Sequence, residues 1–442
     1  MPDTAPQPAR AACRPPGRAS TVLERAEDAA RGDRTMHNVI MISPGFPAEM
    51  PHFARGLKSV GASVLGVGDT PLAALDPLAR ASLDAYLQVQ NLWDEVATVN
   101  AVRERVRGQQ IDRVECLWEP GMVLAARIRE ALGVKGLNVE QTIPFRDKVR
   151  MKEVLEQAGV RIPRFGRART VAEARSVAAH TGFPLIVKPV DGAGSADTYT
   201  CRTALELDEA LARTKHVPEM TIEEFIEGEE FTFDTVCSEG EILFENVGWY
   251  RPKPLVARLN DWISPQCICL RDLDTPDIQK GRALGREVLR ALGFQSGFSH
   301  MEWFLTPKGE AVFGEIGARA PGARLVHMMN YAYDIDIFVG WAEAVCHGRI
   351  SQERSRKYNS AMIFKRASGP GKIITRREGL ESLLGRYGEF VCNLELVGIG
   401  EPRRDSKQVL VGDGWIACRH PDLATTVEMA DAFGSELRFY AD

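Results

Sequence analysis

Glu302, Glu315 and Arg319 have the clearest capacity for chemistry in this sequence. Glu302 stands in Ser-His-Met-Glu-Trp-Phe-Leu, an alternating run rich in β-formers that reads as a strand. Residues 306–310, with Pro307 and Gly309, read as a turn, and residues 311–316 as the return strand of a hairpin. Glu302 and Glu315 can then face each other across adjacent strands. Two hard oxygen ligands so placed suit magnesium, or manganese in its place, because such an ion needs few protein carboxylates and completes its shell with water and phosphate oxygens. Arg319 follows the second acid, where its planar fork can clamp a phosphate or a carboxylate. A solvated hairpin with an incidental ion pair would give the same short pattern, so the reading needs support from the rest of the chain.

That support lies upstream. Lys188 ends the apolar run 184–189 and precedes the small-residue loop Asp191–Asp197. A cation at a strand end, followed by glycines whose backbone N–H groups approach oxygens closely, suits phosphate. Lys148 is a second cation, near the start of a stretch, 146–180, that reads as helical. Residues 221–234 read as strand, turn, strand, with acids at Glu223 and Glu230. An adenine edge needs a donor and an acceptor from such a backbone, and a ribose needs a carboxylate for its hydroxyls. Each feature alone has an ordinary explanation: a snorkelled edge lysine, a turn, a charged hairpin.

The elements that must hold these groups follow a βαβ rhythm at first. Strands at 38–42, 63–67 and 113–118 alternate with helices near 49–60, 94–107 and 121–132, which argues for a small open parallel sheet. It has neither a Gly-x-Gly-x-x-Gly fingerprint nor a Walker A loop. Further helices are expected at 204–214, 277–292, 334–348 and 425–433. Residues 245–275 read as irregular strands and loops, and about 358–442 as β-rich. With 442 residues, 44% of them hydrophobic, the chain has material for about three cores. A net charge of −5 and the lack of basic tracts beyond Arg376-Arg377 and Arg403-Arg404 argue against a nucleic-acid partner. No apolar run reaches the ~18 residues of a membrane span. The nine scattered cysteines read as buried, reduced thiols of a cytoplasmic enzyme. Residues 1–35, rich in Ala, Pro and Arg and without an apolar core, read as a disordered extension before a first strand near Met36.

Taken in order, Lys148, Lys188, the loop at 191–197, the hinge at 223–230 and the Glu302/Glu315/Arg319 set resemble the ATP-grasp carboxylate–amine ligases. The likeness covers about residues 37–350 and extends loosely to the C-terminus. The spacing of Glu302, Glu315, Arg319 and Gly322 looks most like that of the bacterial L-amino-acid ligases that make dipeptides. The resemblance implies an α/β architecture: an N-terminal open parallel α/β domain at 36–142, an ATP-grasp domain at 143–350 with a small lobe at about 180–226, and a β-rich C-terminal cap at 351–442. It implies that Lys148 and Lys188 contact ATP phosphates and that the loop carrying Gly194 and Ser195 closes over them. Glu223 would receive the adenine amino group, Phe225 and the backbone of Ile226 would line the adenine edge, and Glu230 would hold the ribose. Glu302 and Glu315 would bind magnesium, and Arg319 would stabilise an acyl phosphate. Family members often carry Asn two residues after the second acid; here that position is Gly317, so the metal rests on two glutamates. Gly322 belongs to the implied substrate set. Glu119 falls where such ligases hold a substrate amino group, at the carboxyl edge of the first sheet. It reads equally well as a helix-start acid before Pro120.

The implied reaction joins a small-molecule carboxylate to an amine at the expense of ATP. Lysines, metal carboxylates and an arginine, without an obvious nucleophilic Ser or Cys, suit phosphoryl transfer. Three other readings share the ATP parts: a biotin-carboxylase-like enzyme, a kinase and a non-catalytic nucleotide-binding protein. The first carries a Gln-Val-Glu-His run after the arginine, where this chain has Ala320-Pro321-Gly322-Ala323-Arg324. The last would be expected to lose some of Lys188, Glu302, Glu315 and Arg319, all of which are present. Side chains that choose the substrates are expected around Trp249, Tyr250, Arg251 and Trp262, and near His327. A homodimer is a further expectation.

Overall fold

A computed structural model describes residues 36–191, 197–405 and 412–442. The expected N-terminal extension and the candidate residues Gly194 and Ser195 lie outside the described residues. The first sheet is parallel, in the order β3-β2-β1-β4, from β1 (Asn38–Ile42), β2 (Ser63–Gly68), β3 (Ala85–Gln88) and β4 (Arg113–Glu115). The short, half-exposed β3 carries too little apolar pattern to read from sequence. β4 ends at Glu115 rather than 118, because the chain then turns into a 3₁₀ turn at Glu119–Gly121 that contains Pro120. Helix α1 (Met50–Ser59) follows β1 and packs against a later helix. A Cβ on its Gly56 would lie 2.3 Å from the backbone oxygen of Phe338, so glycine permits that approach.

The stretch expected to be helical over 146–180 contains a strand. Helix α2 (Lys148–Gln157) ends before Gly159, which takes φ +75°, and Pro163 leads into β5 (Phe165–Ala168); α3 (Val171–Thr181) follows. β5, β6 (Leu185–Pro189), β7 (Tyr199–Cys201) and β8 (Met220–Glu224) make an antiparallel sheet in the order β5-β8-β6-β7.

β9 (Glu229–Ser238) opens a third sheet, so the expected strand-turn-strand at 221–234 is no hairpin. β8 belongs to one sheet and β9 to another, and residues 225–228 cross between them. At Gly228 a Cβ would lie 2.3 Å from the backbone oxygen of Leu305; the crossing needs glycine. Beside β9 lies β10 (Glu241–Asn246). The large sheet continues through β11 (Gly248–Arg251), β12 (Gln266–Cys269), β13 (Gly297–Leu305), β14 (Ala311–Gly317) and β15 (Asn359–Lys365). Its order is β14-β13-β9-β11-β12-β15 and then two strands from the last segment, β18 (Gly414–His420) and β17 (Val391–Leu396). The C-terminal segment thus extends the same sheet. A separate two-stranded pair joins β16 (Arg376–Glu378) to β19 (Arg438–Tyr440).

One helix, α4 (Pro276–Ala291), seats directly on this sheet. Its Gly281 and Gly285 are one turn apart, and a Cβ at either would come within 2.1 Å of Trp303 or 2.2 Å of Phe233. The helix expected at 334–348 begins at Ile337, because Asp336 caps it by accepting from Val339 N; a separate helix, Leu325–Tyr333, precedes it. Among the described residues no helix is long and apolar enough to cross a membrane. The eight described cysteines are unpaired thiols, and all but Cys392 are buried.

Candidate functional site

A cleft of about 650 Å³ opens between the small antiparallel sheet and the large one. Lys148, Lys188, Glu223, Phe225, Ile226, Glu230, Glu302, Glu315, Arg319 and Gly322 all line it. Residues that stand far apart in sequence are therefore brought together. Asp147 caps α2, accepting from Val149 N and Arg150 N at 2.9 Å each, and so fixes the first helical residue, Lys148. Lys148 Nζ lies 3.8 Å from Glu315 Oε2, and Lys188 Nζ lies 3.9 Å from the same oxygen. Lys188 also reaches Glu223 Oε2 at 3.1 Å. Burial would raise the Glu223 carboxyl, but Lys152 and Lys188 hold it down at about 2.

The two acids of the hairpin are direct partners, Glu302 opposite Glu315, on antiparallel β13 and β14. A bulge falls immediately after Glu302, and Gly314 is the extra residue. A Cβ there would sit 2.9 Å from the backbone oxygen of Glu302. Glu302 accepts from Tyr250 Oη at 3.2 Å, and His300 Nε2 lies 3.7 Å away. His300 Nδ1 in turn meets Asp234 at 2.6 Å, and Asp234 is the partner of His300 across β9 and β13. Burial and then Glu302 push the Glu230 carboxyl well above its ordinary value. Glu315 goes the other way: although burial opposes it, Lys148, Lys188, Lys152 and Arg319 hold it below the usual range. Among the described residues no three acid, histidine or cysteine side chains form a ready metal cage. An ion here would draw its remaining ligands from water or a phosphate, which suits magnesium or manganese.

Glu119 borders a small pocket beside the cleft, shared with Lys148, His300, Glu315 and Arg319, and begins the 3₁₀ turn before Pro120, as a helix-start acid would. Its carboxylate is held from both sides. Oε1 accepts from Arg146 at 2.5 Å, and Oε2 lies 2.9 and 2.8 Å from Arg319 Nε and Nη2. Gly317 makes room for this arrangement, since a Cβ there would stand 3.1 Å from Arg319 Cγ. Gly322 has open space where a Cβ would be, and the next two residues, Ala323 and Arg324, take left-handed φ of 54° and 61°.

Residues 145–247 match the family model of the ATP-grasp domain. The chain carries an ATP-grasp domain. The fold agrees: the crystal structure of an L-amino acid ligase from Bacillus licheniformis superposes with a TM-score of 0.75 at 20% identity, over 92% of this chain and 100% of that one. An L-arginine-specific L-amino acid ligase of Bacillus subtilis is 24% identical over 269 residues, which are 59% of this chain and 64% of that protein. Dapdiamide A synthase of Enterobacter agglomerans is 25% identical over 272 residues, 58% of this chain and 63% of that one. The chain therefore spans a little under two thirds of the length of these relatives.

Within the cleft and behind its wall lie groups that sequence reasoning missed. Lys152 is fully buried and donates to Glu223 Oε1 at 2.9 Å; it stands one helical turn after Lys148, on the same face. His300 alternates onto the face of Glu302 along β13, a signal present in the strand itself. Of the side chains expected to choose substrates, Tyr250 lines the cleft. Its strand neighbours do not join it: Trp249 stacks beside Phe231 and donates to Glu229, and Arg251 pairs with Asp431. Trp262 is 79% exposed, and His327 packs edge-on against His52 and Phe338.

Proposed function

We propose that the protein is an ATP-dependent carboxylate–amine ligase. It joins an amino-acid or small-peptide carboxylate to an amine through an acyl phosphate, with release of ADP and phosphate. The observation that carries this reading is the convergence, in one cleft, of Lys148 and Lys188 with the opposed pair Glu302/Glu315 and the anchored Arg319. Two relatives that are L-amino acid ligases support the amino-acid class.

In this reading Lys148 and Lys188 leave Glu315 and Glu223 for the phosphates. Phe225 and Ile226, on the crossing between sheets, flank the base. Glu223 accepts from the adenine amino group, and Glu230 accepts from the ribose. Glu230 lies close enough to Glu302 for the two to repel, and a divalent cation beside Glu302 would relieve that local repulsion. Glu302 and Glu315 would hold magnesium or manganese, which supplies charge neutralisation for phosphoryl transfer. The substrate carboxylate oxygen attacks the γ-phosphorus and the bond to the ADP oxygen breaks. The amine then attacks the acyl carbon, phosphate leaves and the amine proton passes to solvent. Arg319, fixed on Glu119, presents its remaining N–H groups to the charge that develops on the acyl phosphate. Glu119, between two arginines, offers the amine a carboxylate at the carboxyl edge of the first sheet. This reading implies a cytoplasmic enzyme with small-molecule substrates.

The test is a screen of amino-acid and peptide pairs for ADP release, followed by substrate labelled with oxygen-18 in its carboxylate. One label is expected in the released phosphate, and only when carboxylate and amine are both present. Label retained wholly in the carboxylate, with ADP still formed, moves the protein to a kinase or carboxylase.

A further inference from the structure

The Glu223 carboxylate is held on both oxygens, and its two cationic partners differ in what they can do next. Lys188 Nζ, 3.1 Å from Oε2, also stands 3.9 Å from Glu315 and lines the cleft, so it can move to a phosphate. Lys152 Nζ is 2.9 Å from Oε1, and its side chain is fully buried, behind Glu223. Thr221 Oγ1 stands 3.3 Å from the same oxygen. Lys152 projects from α2 four residues after Lys148, while Glu223 belongs to β8, so the pair also ties the helix to the small sheet.

We propose that Lys152 is a positioning residue for nucleobase selection: it keeps Glu223 aimed at the adenine amino group after Lys188 has left for the phosphates. The proposal rests on the reading of Glu223 as the acceptor of that amino group. When Lys188 departs, Glu223 Oε2 becomes available to the base. Without Lys152 the carboxylate would be buried with no cation beside it, and it would turn or take up a proton. Lys152 stays because nothing in the cleft reaches it. The base is thus read by a carboxylate whose back oxygen is fixed and whose front oxygen is exchanged between a lysine and an amine.

The experiment measures calorimetric binding of magnesium ATP and magnesium ITP to the full chain. ITP has a carbonyl oxygen where ATP has the amino group, so it faces Glu223 with repulsion. The wild type is expected to prefer ATP by at least about tenfold, the worth of a charge-assisted hydrogen bond. Lys152→Met is expected to reduce that preference to within about twofold, mostly by weakening ATP. Lys188→Met, at a residue that borders the cleft, is expected to weaken both nucleotides alike and leave the preference standing. This second variant keeps the proposal falsifiable should Lys152→Met fail to fold. Collapse of the preference in Lys188→Met, or its survival in a folded Lys152→Met, overturns the role of Lys152. Glu223→Gln separates the two ideas. If that variant retains the full preference, Glu223 does not read the base and both fall; if it loses the preference while Lys152→Met keeps it, only the role of Lys152 falls.

Discussion

Replacing Arg319 by lysine preserves a charge and removes a fork. In the structure Nε and Nη2 lie 2.9 and 2.8 Å from Glu119, and Nη1 donates to the backbone oxygen of Ala320 at 3.0 Å. A guanidinium has five N–H groups; three are engaged here, and one each on Nη1 and Nη2 remains for the cleft. A lysine has three, all on one nitrogen, so satisfying Glu119 and the carbonyl leaves at most one, wrongly placed. Losing one preorganised donor aimed at developing charge costs on the order of 10²–10³ in kcat, about 3–4 kcal/mol. The fold should suffer less than the ~3–5 kcal/mol of breaking a buried pair outright, since a cation still faces Glu119. The assay pairs steady-state ADP release in the presence of both substrates with calorimetric ATP binding and a urea midpoint. The expected result is a large fall in kcat with ATP affinity within about threefold of wild type. A kcat that stays within threefold, or an equal fall in ATP affinity, refutes the assignment of Arg319 to the transition state.

Other outcomes follow from the same geometry. Glu315→Ala should abolish ATP turnover without loss of the far-ultraviolet circular dichroism signal, because the change removes one of two opposed acids from a cleft wall; normal phosphate release with excess magnesium would contradict its role as ligand. Glu119→Gln weakens the hold on Arg146 and Arg319 and withdraws charge from the amine, so apparent amino-acid affinity should fall with nucleotide binding little changed; unchanged substrate kinetics would leave Glu119 as a helix-start acid. Gly281→Ala drives a Cβ to 2.1 Å from the fully buried Trp303 and should cost about 1–3 kcal/mol in urea unfolding; a neutral result would mean that α4 can shift freely. Glu223 has a folded value near 2 against an ordinary 4.5, because Lys152 and Lys188 outweigh burial. As for any depressed carboxylate, its stabilisation is complete above about pH 4.5 and is lost as pH falls towards 2. The double variant Glu223→Gln/Lys152→Met should flatten the decline of the urea midpoint in that window, and an unchanged slope would count against the pair.

The parts of this protein legible in the sequence are those set by local periodicity. Alternation along 299–305 and the turn at 306–310 suffice to place the hairpin, but its simple register would set Glu302 opposite Gly314, and it is the bulge at Gly314 that brings Glu315 there. The βαβ rhythm likewise gives the first sheet. Legibility fails where two distant segments decide the outcome. No local signal tells that β8 and β9 enter different sheets, since that depends on which strands meet each edge, and the glycine that permits the crossing, Gly228, is pressed against Leu305 in β13. Lys152 reads as one more helix lysine until β8 brings Glu223 to it. Position 317 makes the point most fully. From sequence alone its glycine is an absence, a ligand not supplied. In the fold, the space left by that missing side chain is where the stem of Arg319 runs, 3.1 Å from the point a Cβ would occupy, as the guanidinium turns towards Glu119. A side chain there would press on the arginine that the proposed chemistry needs most. Gly317 therefore leaves room for the partly buried Arg319–Glu119 pair, which joins the acid hairpin to the first sheet.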